Sequence, residues 1–257
     1  MEVSDPEDPR LADYRHLKER HLHARSGRFV AESERVVRRL LRSRLAVESV
    51  LVTPARLEAL GAELRGPFPV FLAGQPVFDS IAGFHVHRGC LAIGRRPIPG
   101  AVPPEARRLV IVEDLVDVDN LGAIARNAVA FGVDALLLSP RSADPFYRKA
   151  IRVSLGAVFE LPVVRLARWP DDLGALRAGG FSIVAAALGP DAIPLSRFSP
   201  PERWALLLGA EGPGLSAAAL AASDHRVTIP MASSPGADSL NVANAAAVLL
   251  YALTGAP

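Results

Sequence analysis

The sequence predicts an α/β chain: a C-terminal parallel sheet covered on both faces by helices, preceded by a smaller α/β unit. Three features predict it. From Leu109 onward, short unbroken apolar runs alternate with helical patterns; Arg95–Pro104 packs four prolines and a glycine into ten residues; and the first half holds short strands between amphipathic helices. Strands covered by helices on both sides read as continuous apolar runs rather than alternating ones.

In the first half, Leu11, Tyr14, Leu17 and His21 recur at helical spacing, as do Val36, Val37, Leu40 and Leu41, so two amphipathic helices are expected. They carry concentrated basic charge: Arg10 to Arg44 holds eleven Lys or Arg against Asp13, Glu19, Glu32 and Glu34, with His16, His21 and His23 besides. Such arginines form either a solvated helix face or a nucleic-acid footprint. Val47–Val52 reads as a strand, Pro54 opens a helix, and Val70–Ala73 and Cys90–Ile93 read as further strands. The proline-rich run cannot sustain a helix or an inner strand. It therefore places a linker at 97–106 between a domain of residues 1–96 and a second of residues 107–257.

In the second half, Leu109–Val112 is a strand, Leu121–Phe131 a helix stopped by Gly132, and Ala135–Leu138 and Phe159–Val164 are strands. Leu173–Ala178 is a helix, Ile183–Ala187 and Ala205–Leu208 are strands, Leu215–Ala222 a helix, Arg226–Ile229 a strand, and Leu240–Leu253 an alanine-rich terminal helix. Sheets of this kind bind ligands in the loops beyond the strands' C-terminal ends.

Composition narrows the function. At 257 residues, 50% apolar and 22% charged, the chain is globular rather than disordered, collagen-like or a coiled coil. Its apolar runs break well short of the roughly 20 residues a membrane helix needs. The opening MEVSDPEDPR is polar and acidic, unlike a secretion signal, so a cytoplasmic protein with no membrane partner is expected. The single Cys90 excludes an internal disulfide. His85, His87 and Cys90 fall within six residues but alternate with Phe84 and Val86 as on a strand face, and no metal is expected. Arginine makes up 27 of the 29 basic residues, a skew that GC-rich coding also produces, so the position of charge says more than the net +2.

Three loops after strands hold the polar residues the apolar segments lack. The first, Glu113–Asn127, contains Asn120, which can cap the following helix, and Arg126, which needs a partner in an otherwise apolar helix: an acid, or a substrate phosphate or hydroxyl. The second, Leu206–Leu215, has three glycines in six residues around Glu211, so its backbone can approach a ligand closely. Neither a G-x-G-x-x-G nor a Gly-Lys-Ser/Thr occurs, which disfavours the usual nucleotide cofactors. The third, Ile229–Asn244, offers Asp238 or Ser239 as a helix cap, and Asn241 and Asn244 as polar groups facing a ligand or a partner chain. Arg141, Arg148, Lys149 and Arg152 flank a further segment and suit RNA phosphates.

Together these loops, N-x-G-x-I-x-R-N at Asn120–Asn127, L-G-x-E-G-x-G at Leu208–Gly214 and I-P-M…S-L-N-V at Ile229–Val242, resemble the three signature motifs of the SpoU (TrmH-like) branch of the SPOUT RNA methyltransferases. The resemblance spans about the last 150 residues. The first half, with Phe29–Arg35 and Gly89–Ala92, is similar to the substrate-binding domain, with a fold like ribosomal protein L30e, that precedes the catalytic domain in many members. Two departures stand out: many members have proline where Val118 stands, and the loop Ala232–Asp238 is long.

The resemblance implies a deep trefoil knot near the C-terminus, an exception to the rule against threaded chains. It also implies a homodimer, S-adenosylmethionine as cofactor, and methyl transfer to a ribose 2′-hydroxyl, in ribosomal RNA ahead of transfer RNA. Carried onto this chain, Arg126 is the catalytic arginine, Asn120 and Glu211 support it, and Ser239 and Asn241 complete the site. Leu208, Gly209, Gly212, Ile229, Met231 and Leu240 would line the cofactor pocket. Arg35, Arg38, Arg141, Arg148, Lys149 and Arg152 would bind RNA, and no metal is required. The rivals are a non-catalytic RNA-binding or ribosome-assembly protein, which would have lost Arg126, Glu211 or Asn241, and a base methyltransferase of the same superfamily.

Overall fold

The structure, a computed structural model, describes residues 1–15, 26–82, 89–232 and 239–255. His16, Leu17, His21, His23, His85, His87 and Asp238, singled out above, lie outside the described residues. The chain divides into two compact units: Met1–Ile98 with Phe146–Glu160, and Pro99–Pro145 with Leu161–Pro257.

In the first unit, a 3-10 turn over Pro9–Tyr14 takes the opening part of the stretch where the first amphipathic helix was expected, whose remainder lies outside the described residues. Proline near its start and the Asp8 side chain capping Arg10 N favour the tight turn, and it buries Leu11 and Tyr14. The strands are β1 (Arg28–Glu32), β2 (Val47–Val52), β3 (Val70–Leu72) and β4 (Cys90–Arg95), with helices α1 (Glu34–Arg42), α2 (Pro54–Leu60) and α3 (Gln75–Ala82) between them. The sheet order is β1-β4-β2-β3; β4 runs antiparallel to both neighbours and β2 parallel to β3. Helix α1 turns Val36, Val37 and Leu40 inward and its arginines outward.

The excursion Phe146–Glu160 packs into this first unit, whereas the sequence reading ran the second domain unbroken from 107 to 257. Its helix α4 (Arg148–Val153) is too short to show a periodicity, and Ala157–Glu160 forms a 3-10 turn at the start of the strand expected over Phe159–Val164, which begins only at Val163. Phe29 of β1 packs on Phe159 and Phe146, with ring centroids 5.2 and 5.3 Å apart. Arg148 donates to Glu32 Oε2 at 2.7 Å, and both side chains are largely buried. Removing one partner of such a pair strands a buried charge, so Arg148→Ala should destabilise this unit by about 3 kcal/mol, read as a lowered urea midpoint.

The second unit is a seven-stranded, all-parallel sheet of order β7-β6-β5-β10-β8-β11-β9. Its strands are β5 (Arg108–Val112), β6 (Ala135–Leu138), β7 (Val163–Arg165), β8 (Ser182–Ala186), β9 (Ile193–Pro194), β10 (Trp204–Leu208) and β11 (His225–Thr228). The central strands β5, β6 and β10 are buried at nearly every position, as their unbroken apolar runs require. The covering helices are α5 (Val118–Ala130), α6 (Asp172–Ala178), α7 (Ala217–Ala221) and α8 (Val242–Thr254). Leu121, Ile124, Ala125 and Ala128 of α5 share a core with Ala246, Leu249, Leu250 and Leu253 of α8. Gly132, at φ +66°, ends α5: its N–H reaches Val129 O at 3.3 Å and Val133 N reaches Ala128 O at 2.9 Å, the paired bonds of a Schellman stop.

Two helix starts differ from expectation, for one reason. Helix α5 begins at Val118 because Asp117, not Asn120, is its cap, accepting from Asp119 N at 2.7 Å and Asn120 N at 3.1 Å. Val118 thus occupies the first helical position, where proline's missing N–H costs nothing, so the departure from the family pattern is mild. Helix α8 begins at Val242 because Asn241 itself is the cap, accepting from Ala243 N at 2.9 Å and Asn244 N at 3.3 Å.

Candidate active site

In the second unit β5 leads outward to β6 and β7 on one side, while β10, β8, β11 and β9 lie on the other. Neighbouring strands β5 and β10 therefore mark the point where the strand order reverses, and a cleft opens beside it, beyond the C-terminal ends of β10, β8 and β11. The three loops singled out by sequence leave from this edge: after β5, after β10 and after β11.

Because Asp117 takes the capping role, the Asn120 side chain in the first turn of α5 is free to reach across the edge. Its Nδ2 donates to Glu211 Oε1. Asn241 Nδ2 donates to Asn120 Oδ1 at 3.0 Å and to Glu211 Oε1 at 3.3 Å. One Asn241 amide thus caps α8 with its oxygen and joins the polar cluster with its nitrogen. Residues 91 and 121 positions apart meet in a single hydrogen-bonded set.

This set stands at a cleft of about 490 Å³. Leu208, Gly209, Gly212, Ile229, Met231 and Leu240 all line it, with Glu211, Ser239 and Asn241 at its polar side. The walls are mostly apolar and backbone, with few polar groups, the character of small-molecule sites in this size range. A Cβ on Gly209 would lie 2.3 Å from Gly214 C and 2.5 Å from Leu215 N, so only glycine lets the loop fold back on itself there. Ala186, Ala187 and Leu188 beyond β8 also line the cleft. Sequence reading missed them: Ala186, Ala187 and Leu188 are themselves apolar, and the turn signal of Gly189, Pro190 and Asp191 lies just beyond them, so it is strand order that brings them to the edge.

Arg126 lies outside the hydrogen-bonded set and is not in the cleft wall; it is exposed on α5. Among the described residues it forms no ion pair, so the acid partner that the sequence left open is absent there. Other expected contacts are engaged. Arg38 is ion-paired to Glu34 at 2.9 Å and to Glu63, and Arg148 to Glu32. Arg141, 83% exposed, pairs with Asp114, whose carboxyl its guanidinium holds below the ordinary range. Arg35 and Lys149 are exposed and Arg152 half-buried. Burial pushes the Cys90 thiol up to about 12, which makes it inert. Among the described residues no group of His, Cys, Asp or Glu could hold a metal, and no helix is long and apolar enough to cross a membrane.

The model of the SpoU rRNA Methylase family matches residues 107–251. The chain belongs to this family. The SpoU match covers all three loops and the helices that position them. An uncharacterized tRNA/rRNA methyltransferase of Mycobacterium tuberculosis is 43% identical over 268 residues, covering 99% of this chain and 91% of the relative. The 23S rRNA (guanosine(2553)-2′-O)-methyltransferase RlmP of Bacillus subtilis is 28% identical, over 99% of each chain. Among solved structures, the SpoU methyltransferase AviRb of Streptomyces viridochromogenes in complex with AdoMet superposes with a TM-score of 0.81 at 26% identity, covering 96% of this chain and 97% of that one.

Proposed function

We propose that this SpoU-family protein transfers a methyl group from S-adenosylmethionine to a ribose 2′-hydroxyl of ribosomal RNA. The observation that carries the reading is the meeting of Asn120, Glu211 and Asn241, from three separate loops, at the mouth of the glycine-walled cleft. The cleft fits the cofactor in kind. Ile229, Leu240 and Leu249 offer apolar walls to an adenine, the Gly209–Gly214 backbone can approach closely, and Ser239 and Thr228 supply polar edges. Bound there, S-adenosylmethionine supplies a methyl on a sulfonium, electrophilic enough that no metal is needed.

A ribose hydroxyl is a weak nucleophile at neutral pH, so the protein must hold it in line and lower the cost of its ionisation. Arg126 is suited to this. A guanidinium keeps its proton at a pKa above about 12, so it serves as a fork that grips a phosphate and stabilises the forming alkoxide. Glu211 is oriented by two amide donors, which holds it against the cleft rather than loose in solvent.

Ribosomal RNA is favoured over transfer RNA because RlmP, described as a 23S rRNA 2′-O-methyltransferase, aligns along 99% of this chain, first unit included. A cytoplasmic location goes with this reading as part of the proposal. The first unit, with its small mixed sheet, serves as the L30e-like RNA-binding domain. The trefoil knot that the family resemblance implies near the C-terminus is part of the same proposal. The exposed Val116, Val248 (42%) and Tyr251 (55%) suit a homodimer interface.

Labelled cofactor offered to ribosomal and transfer RNA pools, each from a strain lacking the gene, tests the substrate class: label should enter the ribosomal pool. Label in the transfer RNA pool alone would overturn that choice. The arginines divide as well. Arg35→Ala should reduce the slope of log affinity against log salt by about one contact. Arg38→Ala, which breaks the pairing with Glu34 and Glu63, should lower the thermal midpoint and leave that slope unchanged.

A further inference from the structure

Glu113, one residue beyond β5, is 3% exposed and has no part in the reaction as read above. A carboxylate so buried is costly unless its lone pairs are satisfied, and here they are. Oε1 accepts from Trp169 Nε1 at 2.5 Å and from Ser216 Oγ at 2.7 Å, and Oε2 accepts from Ser216 N at 2.8 Å. Donors alone face it, and a carboxylate is the acceptor-only side chain that satisfies all three.

What these bonds join matters more than their number. Ser216 ends the loop that starts at Gly209 and lines the cleft, and it caps α7, its Oγ accepting from Ala219 N at 3.1 Å. At the other end of the loop, the Glu113 backbone N–H donates to Leu208 O at 2.8 Å. One residue therefore binds the strand from which the loop departs and the residue at which it lands. Within the loop Gly214 N returns to Ala210 O at 3.0 Å, so fixing both ends fixes the whole. Glu211, at its middle, inherits that placement.

We propose that Glu113 is a positioning residue: it clamps both ends of the 209–215 loop and thereby sets the backbone wall of the cofactor cleft and the location of Glu211. The inference rests on the cleft being the cofactor site, and its test separates the two.

Glu113→Gln keeps the shape but sets an NH₂ group against a donor. With the amide oxygen on Ser216 N, the hydroxyl of Ser216 can turn to accept, while Trp169 Nε1–H is left facing N–H. Trp169→Phe removes that N–H, so the double variant should regain what the single one loses. Two quantities are read in the full chain, at a temperature where each variant keeps the parent's circular dichroism: hydrogen exchange of the 209–216 amides without ligand, and the dissociation constant for S-adenosylmethionine. Glu113→Gln should raise both by about tenfold or more, and adding Trp169→Phe should bring both back to within about threefold of the parent. Parent-like exchange and affinity in folded Glu113→Gln, or no recovery in the double variant, would overturn the proposal. Should Glu113→Gln fail to fold, Trp169→Phe alone carries the test: exchange at Ser216 should quicken, and unchanged exchange would overturn the clamp. A parent that shows the exchange pattern but binds no S-adenosylmethionine would instead overturn the cofactor reading.

Discussion

Arg126→Lys should reduce methyl transfer by about a thousandfold while leaving the affinity for S-adenosylmethionine within about twofold of the parent. Two features of the structure set this expectation. Arg126 is exposed on α5, outside the cleft wall and with no ion pair among the described residues, so neither the fold nor the cofactor leans on it. Lysine keeps the charge but loses the planar fork, which is what can hold a phosphate and a developing alkoxide together. Single-turnover transfer at saturating cofactor, with calorimetry for binding, separates the two quantities. Turnover within tenfold of the parent would mean that point charge suffices and the fork has no role; a parallel loss of cofactor affinity would place Arg126 in the cleft after all.

Gly209→Ala should be nearly as damaging by a different route. The added Cβ would lie 2.3 Å from Gly214 C and 2.6 Å from Gly214 O, backbone atoms that cannot rotate aside. Relief requires the loop to open, at a cost of about 1–3 kcal/mol, and the wall that holds Glu211 moves with it. Cofactor affinity should fall at least about tenfold. Gly212→Ala is the control. Gly212 sits at φ +81° with open space around its α-carbon, so alanine there meets only left-handed strain of about 1–2 kcal/mol and no collision. Thermal melts with and without S-adenosylmethionine distinguish the pair: Gly209→Ala should lose the ligand-induced rise, whereas Gly212→Ala should melt lower and keep most of it. Equal behaviour of the two variants would remove the backbone collision from the account.

Much of the second unit was legible because parallel strands covered on both faces leave an unmistakable apolar run: β5, β6 and β10 lie within one residue of where the sequence places them. Helix starts were less legible, since Asp117 and Asn241 are the residues that each accept from two N–H groups of the first turn, and several Asp, Asn and Ser compete for that role in both loops. The strand expected at Phe159–Val164 is cut back to β7 at Val163–Arg165, because Phe159 owes its burial to Phe29 of the first unit rather than to a sheet position. The same long-range packing brings Phe146–Glu160 to the first unit, which no local pattern announces.

The candidate site divides along the same line. Its three loops were readable, because glycines and polar side chains stand out between apolar strands, whereas the apolar residues that line the cleft came only from the family resemblance. The bonds among Asn120, Glu211 and Asn241 were not, since they depend on which strands neighbour which. The pairings of Arg38 with Glu63 and of Arg148 with Glu32 were hidden because the partners lie 25 and 116 residues away, although Glu34, four residues from Arg38, was in local view. Glu113 was hidden among Asp114, Asp117 and Asp119, where nothing local marks the one carboxylate that is buried.

If these three loops assemble a site for methyl transfer to a ribose hydroxyl, the product carries its new methyl on the sugar. Ribosomal RNA from a strain lacking the gene, incubated with the purified protein and S-adenosylmethionine, is digested to nucleosides and analysed by mass spectrometry, with Arg126→Ala in parallel. The account predicts one new nucleoside whose added methyl stays with the ribose fragment, absent with Arg126→Ala. A methyl that stays with the base, or ribose methylation undiminished in Arg126→Ala, would contradict it.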